Sequence, residues 1–249
     1  MKKLISIAVF AVFSASSAMS AGIGFAPSIG VSFNQSAFAG EGNEKNFDES
    51  GSLRAVTEEY GAFTESFASI FLELGLGENF AIGVDMVPGS IATPENISRE
   101  GKVTGGGFPD PGRSRVSVDF EDLTTVYLKA NVPMLGGTYV KAGYAEVDVI
   151  VNESMASGNT YKDTSTQGMI AAIGYSHDLG SMGLSIRAEV MAHQFDDVKA
   201  NNGVAAGGNR NEVMVESMWG ARGIISLATV SYTHLRAHET RGNLVCRSK

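Results

Sequence analysis

Along most of this chain apolar and polar residues take turns one by one. In residues 68–74, Ala68, Ile70, Leu72 and Leu74 alternate with Ser69, Phe71 and Glu73. Successive side chains of a strand point to opposite sides, so such a segment has one apolar and one polar face. Residues 184–193 are the clearest case, with Leu184, Ile186, Ala188 and Val190 opposing Ser185, Arg187, Glu189, Met191 and His193. The same reading places Ile29, Val31 and Phe33 against Ser28, Gly30, Ser32 and Asn34, and Ile82, Val84 and Met86 against Gly83 and Asp85. Val126, Leu128, Ala130 and Val132 oppose Thr125, Tyr127, Lys129 and Asn131, while Met169, Ala171, Ile173 and Tyr175 oppose Ala172, Gly174 and Ser176. In the last such segment Val213, Val215, Trp219 and Ala221 share a face against Glu216, Gly220 and Arg222.

The connections are sorted by length. Long polar stretches at residues 37–62, 88–116, 152–166 and 196–210 alternate strictly with short ones at residues 77–79, 133–137 and 179–181. Eight strands joined this way have every long connection at one end. The pattern predicts an all-β fold, an eight-stranded antiparallel up-and-down transmembrane β-barrel with four long outer loops and three short periplasmic turns. A soluble eight-stranded carrier shares the periodicity with the faces reversed. The sorted loops favour the membrane form, with apolar faces to lipid and charges inside. Glu73, Asp85, Lys129, Arg187, Glu189, Glu216 and Arg222 are then expected to form a charge network in the lumen.

One strand resists this assignment. Lys141 shares parity with Val147 and Val149, while Glu146 and Asp148 share parity with Val140 and Ala142. Either a bulge intervenes, or the strand leaves the membrane near Ala145 and its acidic part stands above it. The second is expected, because the segment runs directly into the third long connection.

The first residues agree with a membrane destination beyond the cytoplasm. Lys2 and Lys3 precede a short apolar run from Leu4 to Phe13, and Ala18-Met19-Ser20 offers small residues for cleavage. That run falls short of the roughly 20 apolar residues of a spanning helix, and it reads as a secretory signal over residues 1–20. No later stretch is long and uncharged enough to span as a helix, so residence in lipid falls to strands in a closed barrel. The barrel is assigned residues 21–228.

The other end reads differently. Residues 230–240, VSYTHLRAHET, match the in-frame translation of a transposase sequencing adapter, and Leu244-Val245-Cys246-Arg247 continue it beyond an index. Residues 229–249 are accordingly set aside as non-native, and the natural chain is expected to finish near Ala228 on an aromatic residue. Cys246 is the only cysteine, so the remainder has no disulfide or thiolate chemistry. Without the signal and the tail the chain is more acidic than the formal −8 of the whole. That balance argues against nucleic acid, which wants a basic face. Glu41, Glu44, Asp48, Glu49, Glu58 and Glu59 fall in the first long connection. They suit a solvated surface or divalent-cation bridging to lipopolysaccharide phosphates, but no EF-hand spacing is present.

The phrases LELGLGENFAIGVD, YVKAGYAEVDV and IAAIGYSHDLGSMGLSIRAEV resemble the small eight-stranded outer-membrane barrels, the opacity-protein family and the membrane domain of outer-membrane protein A. The resemblance implies a place in the bacterial outer membrane, with lipid and lipopolysaccharide as surroundings and the barrel-assembly machinery as a partner during biogenesis. It implies no cofactor, and it leaves the role open, because one fold hosts many functions. A structural or passive small-solute, porin-like role without catalysis is the first expectation. A surface adhesin or receptor is the second, binding an extracellular ligand through its long acidic loops, with Phe108 and Asp110 as a candidate loop tip. A lipid A-modifying enzyme is the third. It would need a serine activated by a base, and His193 has no serine beside it in sequence.

Overall fold

The alternating segments pair into one closed sheet. The protein is described here by a computed structural model over residues 25–47, 50–99, 113–154, 160–180, 183–202 and 210–230. Its strands are β1 (Phe25–Phe47), β2 (Leu53–Leu76), β3 (Phe80–Met86), β4 (Ser90–Ala92), β5 (Asn96–Arg99), β6 (Arg113–Asn131), β7 (Thr138–Ser154), β8 (Thr164–Asp178), β9 (Leu184–Phe195), β10 (Val198–Asn201) and β11 (Arg210–Val230). Hydrogen bonding runs β1-β2-β3-β6-β7-β8-β9-β11, and β11 returns to β1. Every pairing is antiparallel, so eight staves form a ring. The short strands β4 and β5 continue the course of β3 along β6, and β10 continues that of β9 along β11.

The outward face is the apolar one. Val31, Phe33, Leu128, Ile173, Val190 and Ile225 are all about half exposed or more, and they belong to five different staves. The opposing positions turn inward and are buried, among them Ser32, Asn34, Ser69, Glu73, Thr125, Arg187 and Arg222. With no water at the belt to bond a free strand edge, closure between β1 and β11 satisfies the backbone.

The first long connection is not a loop. β1 and β2 stay paired from Phe25↔Leu76 out to Phe47↔Leu53, so residues 37–62 are mostly a ribbon that rises beyond the ring. Its composition is polar without a regular apolar face, as suits a strand exposed on both sides.

Two bulges change the parity of their strands. At Asp122, with φ +54°, the β6–β7 register shifts between Glu121 and Thr124. At Ser217, with φ +53°, the β1–β11 register shifts between Ala39 and Glu41. A bulge sets two residues against one and turns the rest of its strand to the other face. Val215 therefore lies on the face opposite to Trp219, against the sequence expectation that they share one. β7 itself is regular, paired with β8 without a shift from Thr138 to Val149. Tyr139, Lys141, Ala145, Val147 and Val149 turn inward, and Glu146 and Asp148 turn outward and partly exposed. The bulge thus sits in the neighbouring strand.

The interior is also not polar throughout, as the alternation had led us to expect. The half nearest the short turns is charged, and the half nearest the long connections is aromatic and aliphatic. The two valines of β7 that looked misplaced face this second, apolar half. The signal (residues 1–20), the loop-tip pair Phe108 and Asp110, Ser181 of the third turn and residues 231–249 lie outside the described residues; β11 runs through Val230.

Candidate functional site

The charged half is built around Glu73 of β2. Its carboxylate accepts from Lys129 Nζ at 2.6 Å and from the Tyr127 hydroxyl at 2.9 Å, and it faces Arg187 Nη1 at 2.9 Å. Lys141 Nζ stands 3.9 Å from it and 2.8 Å from Glu189. The Lys141 ammonium also lies 4.2 Å from the Tyr127 ring centre. Such a cation over an aromatic face is stabilised by the ring quadrupole.

One level further out, Asp85 of β3 accepts from Ser69 Oγ at 2.7 Å and from Arg222 Nη2 at 3.2 Å. The same guanidinium donates to Asn34 Oδ1 at 2.6 Å. Asn34 in turn donates to Ser69 Oγ at 3.1 Å. A buried charge is costly unless paired and hydrogen-bonded, and both carboxylates meet that condition with partners from several staves.

Of the residues singled out from sequence, Glu73, Asp85, Lys129, Arg187, Glu189 and Arg222 are brought together in the lumen. Glu216 is not. It stands beyond the Ser217 bulge and accepts from Asn43 Nδ2 at 3.0 Å. Lys141, Tyr127, Tyr139, Asn34 and Ser69 belong to the network and were missed. For Lys141 the signal was present, since it shares parity with the inward Tyr139 in the turn-side half of its strand.

Four inward aromatic rings are accommodated by glycine. Phe71, Tyr127, Tyr139 and Phe38 are directly opposed to Gly30, Gly83, Gly174 and Gly220 on the neighbouring strand. A Cβ on any of these glycines would strike the ring. A missing side chain opposite each aromatic lets the ring cover the sheet, as aromatic residues do when they compensate for glycine in strands.

Above the charged half lies a chamber of about 420 Å³. Phe38, Phe63, Phe120, Phe195, Leu123 and Val147 line it, together with Ile91 and Met218. The rings touch one another: Phe63 stacks on Phe120 at 5.9 Å and tilts against Phe38 at 5.4 Å. Both bulges serve this chamber, because Phe120 and Val215 line it only through the shifted parity that Asp122 and Ser217 impose.

The chamber reaches a slot in the wall. β2 pairs with β3 only from Ile70 to Leu76, and β4 and β5 pair with β6. Residues 59–63 of β2 therefore face Ile91, Thr93, Pro94 and Asn96 across the chamber with no strand ladder between them among the described residues.

His193 lies behind the Phe38 and Phe195 walls at the inner end of the chamber, outside its lining. It is 1% exposed, stacked on Phe195 at 5.5 Å and edge-on to Phe38 at 6.2 Å. Neither ring nitrogen has a hydrogen-bond partner among the described residues, and neither do Nη1 of Arg222 and Oγ1 of Thr125. Each such unsatisfied group costs about 1–3 kcal/mol. On the outer ribbon, Tyr60 donates to Glu41 Oε1 at 3.3 Å, and this carboxylate raises the phenol above its ordinary pKa. No group of three or more His, Cys, Asp or Glu residues that could hold a metal ion occurs among the described residues.

No protein-family profile and no curated protein sequence matches the chain. Among solved structures it is similar to the outer membrane protein OprG from Pseudomonas aeruginosa, at 13% identity and a TM-score of 0.53, over 83% of this chain and 97% of that one. It is also similar to the outer membrane protein AlkL, at 14% identity and a TM-score of 0.43, over 86% of this chain and 94% of that one. Neisserial surface protein A aligns at 8% identity and a TM-score of 0.34, over 79% of this chain and 96% of that one. The fold is that of an outer-membrane β-barrel, and the apolar belt is the surface that meets lipid.

Proposed function

We propose that this barrel takes up small apolar molecules at the outer face, passively and without catalysis. The observation that carries this reading is the sequence of environments along the axis. An aromatic chamber, sized like ordinary small-molecule pockets, ends on a layer of paired charges. An apolar molecule gains by leaving water for the chamber, but it loses by entering the charged layer, where every charge already has a partner. The slot between β2 and the β4–β5 segment opens sideways instead, at the outer rim where the ring gives way to the ribbon. A polar solute gains nothing in the chamber, so a general porin is the poorer description.

The test is uptake by cells carrying the barrel in their outer membrane. The initial rate for an apolar fluorescent dye should rise above that of cells without the protein, and the rate for a small sugar should not. Val147→Phe, which fills the chamber, should bring the dye rate back toward the control. A sugar rate that rises as much as the dye rate would remove the reading.

One observation favours a second reading, a surface adhesin. The ribbon of β1 and β2 presents Leu53, Val56 and Tyr60 to solvent, with Tyr60 78% exposed. Exposed apolar side chains on a projecting ribbon suit a protein partner. Leu53→Ser with Val56→Ser, on the ribbon and away from the chamber lining, should abolish cell attachment under this reading and leave dye uptake intact.

A further inference from the structure

We propose that the inner end of the chamber is a head-group site, and that the apolar molecules it takes carry a carboxylate. This deepens the uptake reading and rests on it.

The inference begins with hydrogen bonds left unspent. His193 faces inward from β9, and its direct neighbour on β11 is Gly220. Arg222 comes next on the same inward face of β11, opposite Met191. Diagonal neighbours of this kind are within reach of long side chains. The imidazole and the guanidinium thus approach one place, immediately behind the Phe38 and Phe195 walls. Arg222 spends Nε and Nη2 on Asn34 and Asp85 and keeps Nη1. A neutral imidazole keeps one N–H and one lone pair.

The unspent groups are chiefly donors. An acceptor-rich head satisfies them, whereas a hydrocarbon end satisfies none. The sign of the charge agrees. The lumen network holds Lys129, Lys141, Arg187 and Arg222 against Glu73, Asp85 and Glu189. An anionic head relieves that positive excess, and a cationic head adds to it. The walls then suit the remainder of the molecule: an aliphatic or aromatic tail lying among Phe63, Phe120 and Val147, with the carboxylate at His193 and Arg222.

Brominated probes read this directly, because bromine quenches tryptophan on contact. Trp219 is the only tryptophan of the chain, so Trp219→Phe with Phe120→Trp moves the reporter into the chamber. The full chain is placed in phosphatidylcholine nanodiscs and titrated with ω-bromooctanoate, ω-bromooctanol and bromooctane. All three should quench saturably, with the carboxylate binding at least about tenfold more tightly than the alcohol. His193→Phe should abolish that preference and leave quenching by bromooctane unchanged, and His193→Gln, which keeps an N–H donor, should retain much of it. Equal affinities for all three probes, or a carboxylate preference that survives His193→Phe, would overturn the head-group site while leaving the chamber standing, with water as the only partner of His193. Absence of saturable quenching by any probe would overturn the chamber reading and this one together.

Discussion

The ring of Tyr127 covers Gly83, its directly opposed partner on the neighbouring strand, and the hydroxyl of the same tyrosine donates to Glu73 at 2.9 Å. One residue therefore couples the packing of the wall to the charged layer inside it. Gly83 leaves the space, Tyr127 fills it, and Glu73 fixes the orientation of the ring.

This relationship predicts non-additive mutations. Gly83→Ala should destabilise the barrel by about 1–3 kcal/mol, the usual cost of overpacking. Tyr127→Ala removes the ring that the new methyl group would strike. The double variant should then be less damaged than the sum of the singles, by about 0.5–3 kcal/mol. Urea-dependent folding into lipid vesicles measures all four corners of the cycle. Simple additivity would mean that ring and glycine do not depend on each other.

The outward face predicts a contrast between two positions of similar exposure. Val190 is 62% exposed within the ring, and Tyr60 is 78% exposed on the ribbon beyond it. Val190→Arg puts a charge against lipid, at a cost of about 2–4 kcal/mol near the bilayer midplane. Tyr60→Arg meets water and the Glu41 carboxylate, and it should leave folding unchanged. Gel migration before and after heating separates folded from unfolded barrel for each variant. Comparable damage from both would show that the belt does not end below Tyr60.

Much of this architecture was legible because a strand repeats every two residues and a barrel has one apolar side. The faces of the turn-side halves of β1, β2, β3, β6, β8 and β9 come directly from that. Parity fails where a bulge enters, and nothing in the sequence around Asp122 or Ser217 announces a left-handed backbone at a residue that is not glycine. Val215 and Glu216 were therefore assigned to the wrong faces. Length sorting found the right ends for the connections but took a solvated ribbon for a loop, since a strand wet on both sides has no apolar face to betray it. The chamber was the least legible part. It is assembled from inward residues of the outer halves, and in sequence Val147 and Val149 looked like an error of register rather than a wall.

Glu73 is the position on which the charged layer depends most. It faces Lys129, Lys141 and Arg187. Glu73→Gln keeps the shape and removes the charge, leaving those three cations with Glu189 alone nearby. Breaking a buried pair in this way typically costs about 3–5 kcal/mol. The urea midpoint should fall accordingly. Asn43→Ala, which removes the donor to Glu216 at the rim, should shift it little. If both substitutions had similar effects, Glu73 would have no special place in the layer.

The same layer decides whether ions can cross. Eight staves enclose an interior that side chains can fill, and here Tyr127, Tyr139 and Phe71 cover the charges from one side while Asp85 and Arg222 close them from the other. Water has no continuous path through groups that already bond one another. Planar bilayers containing the protein should show little or no stable conductance. Removing the pairs together tests whether they, and not the narrow ring, are the obstacle. Glu73→Ala with Lys129→Ala and Arg187→Ala deletes one carboxylate and two cations, and it leaves Asp85 and Glu189 balanced by Lys141 and Arg222. This variant should fold, because no charge is stranded, and it should conduct steadily. Steady currents from the unaltered protein would mean that the layer does not plug the barrel. Silence from the folded triple variant would mean that the aromatic residues and the ring itself close it.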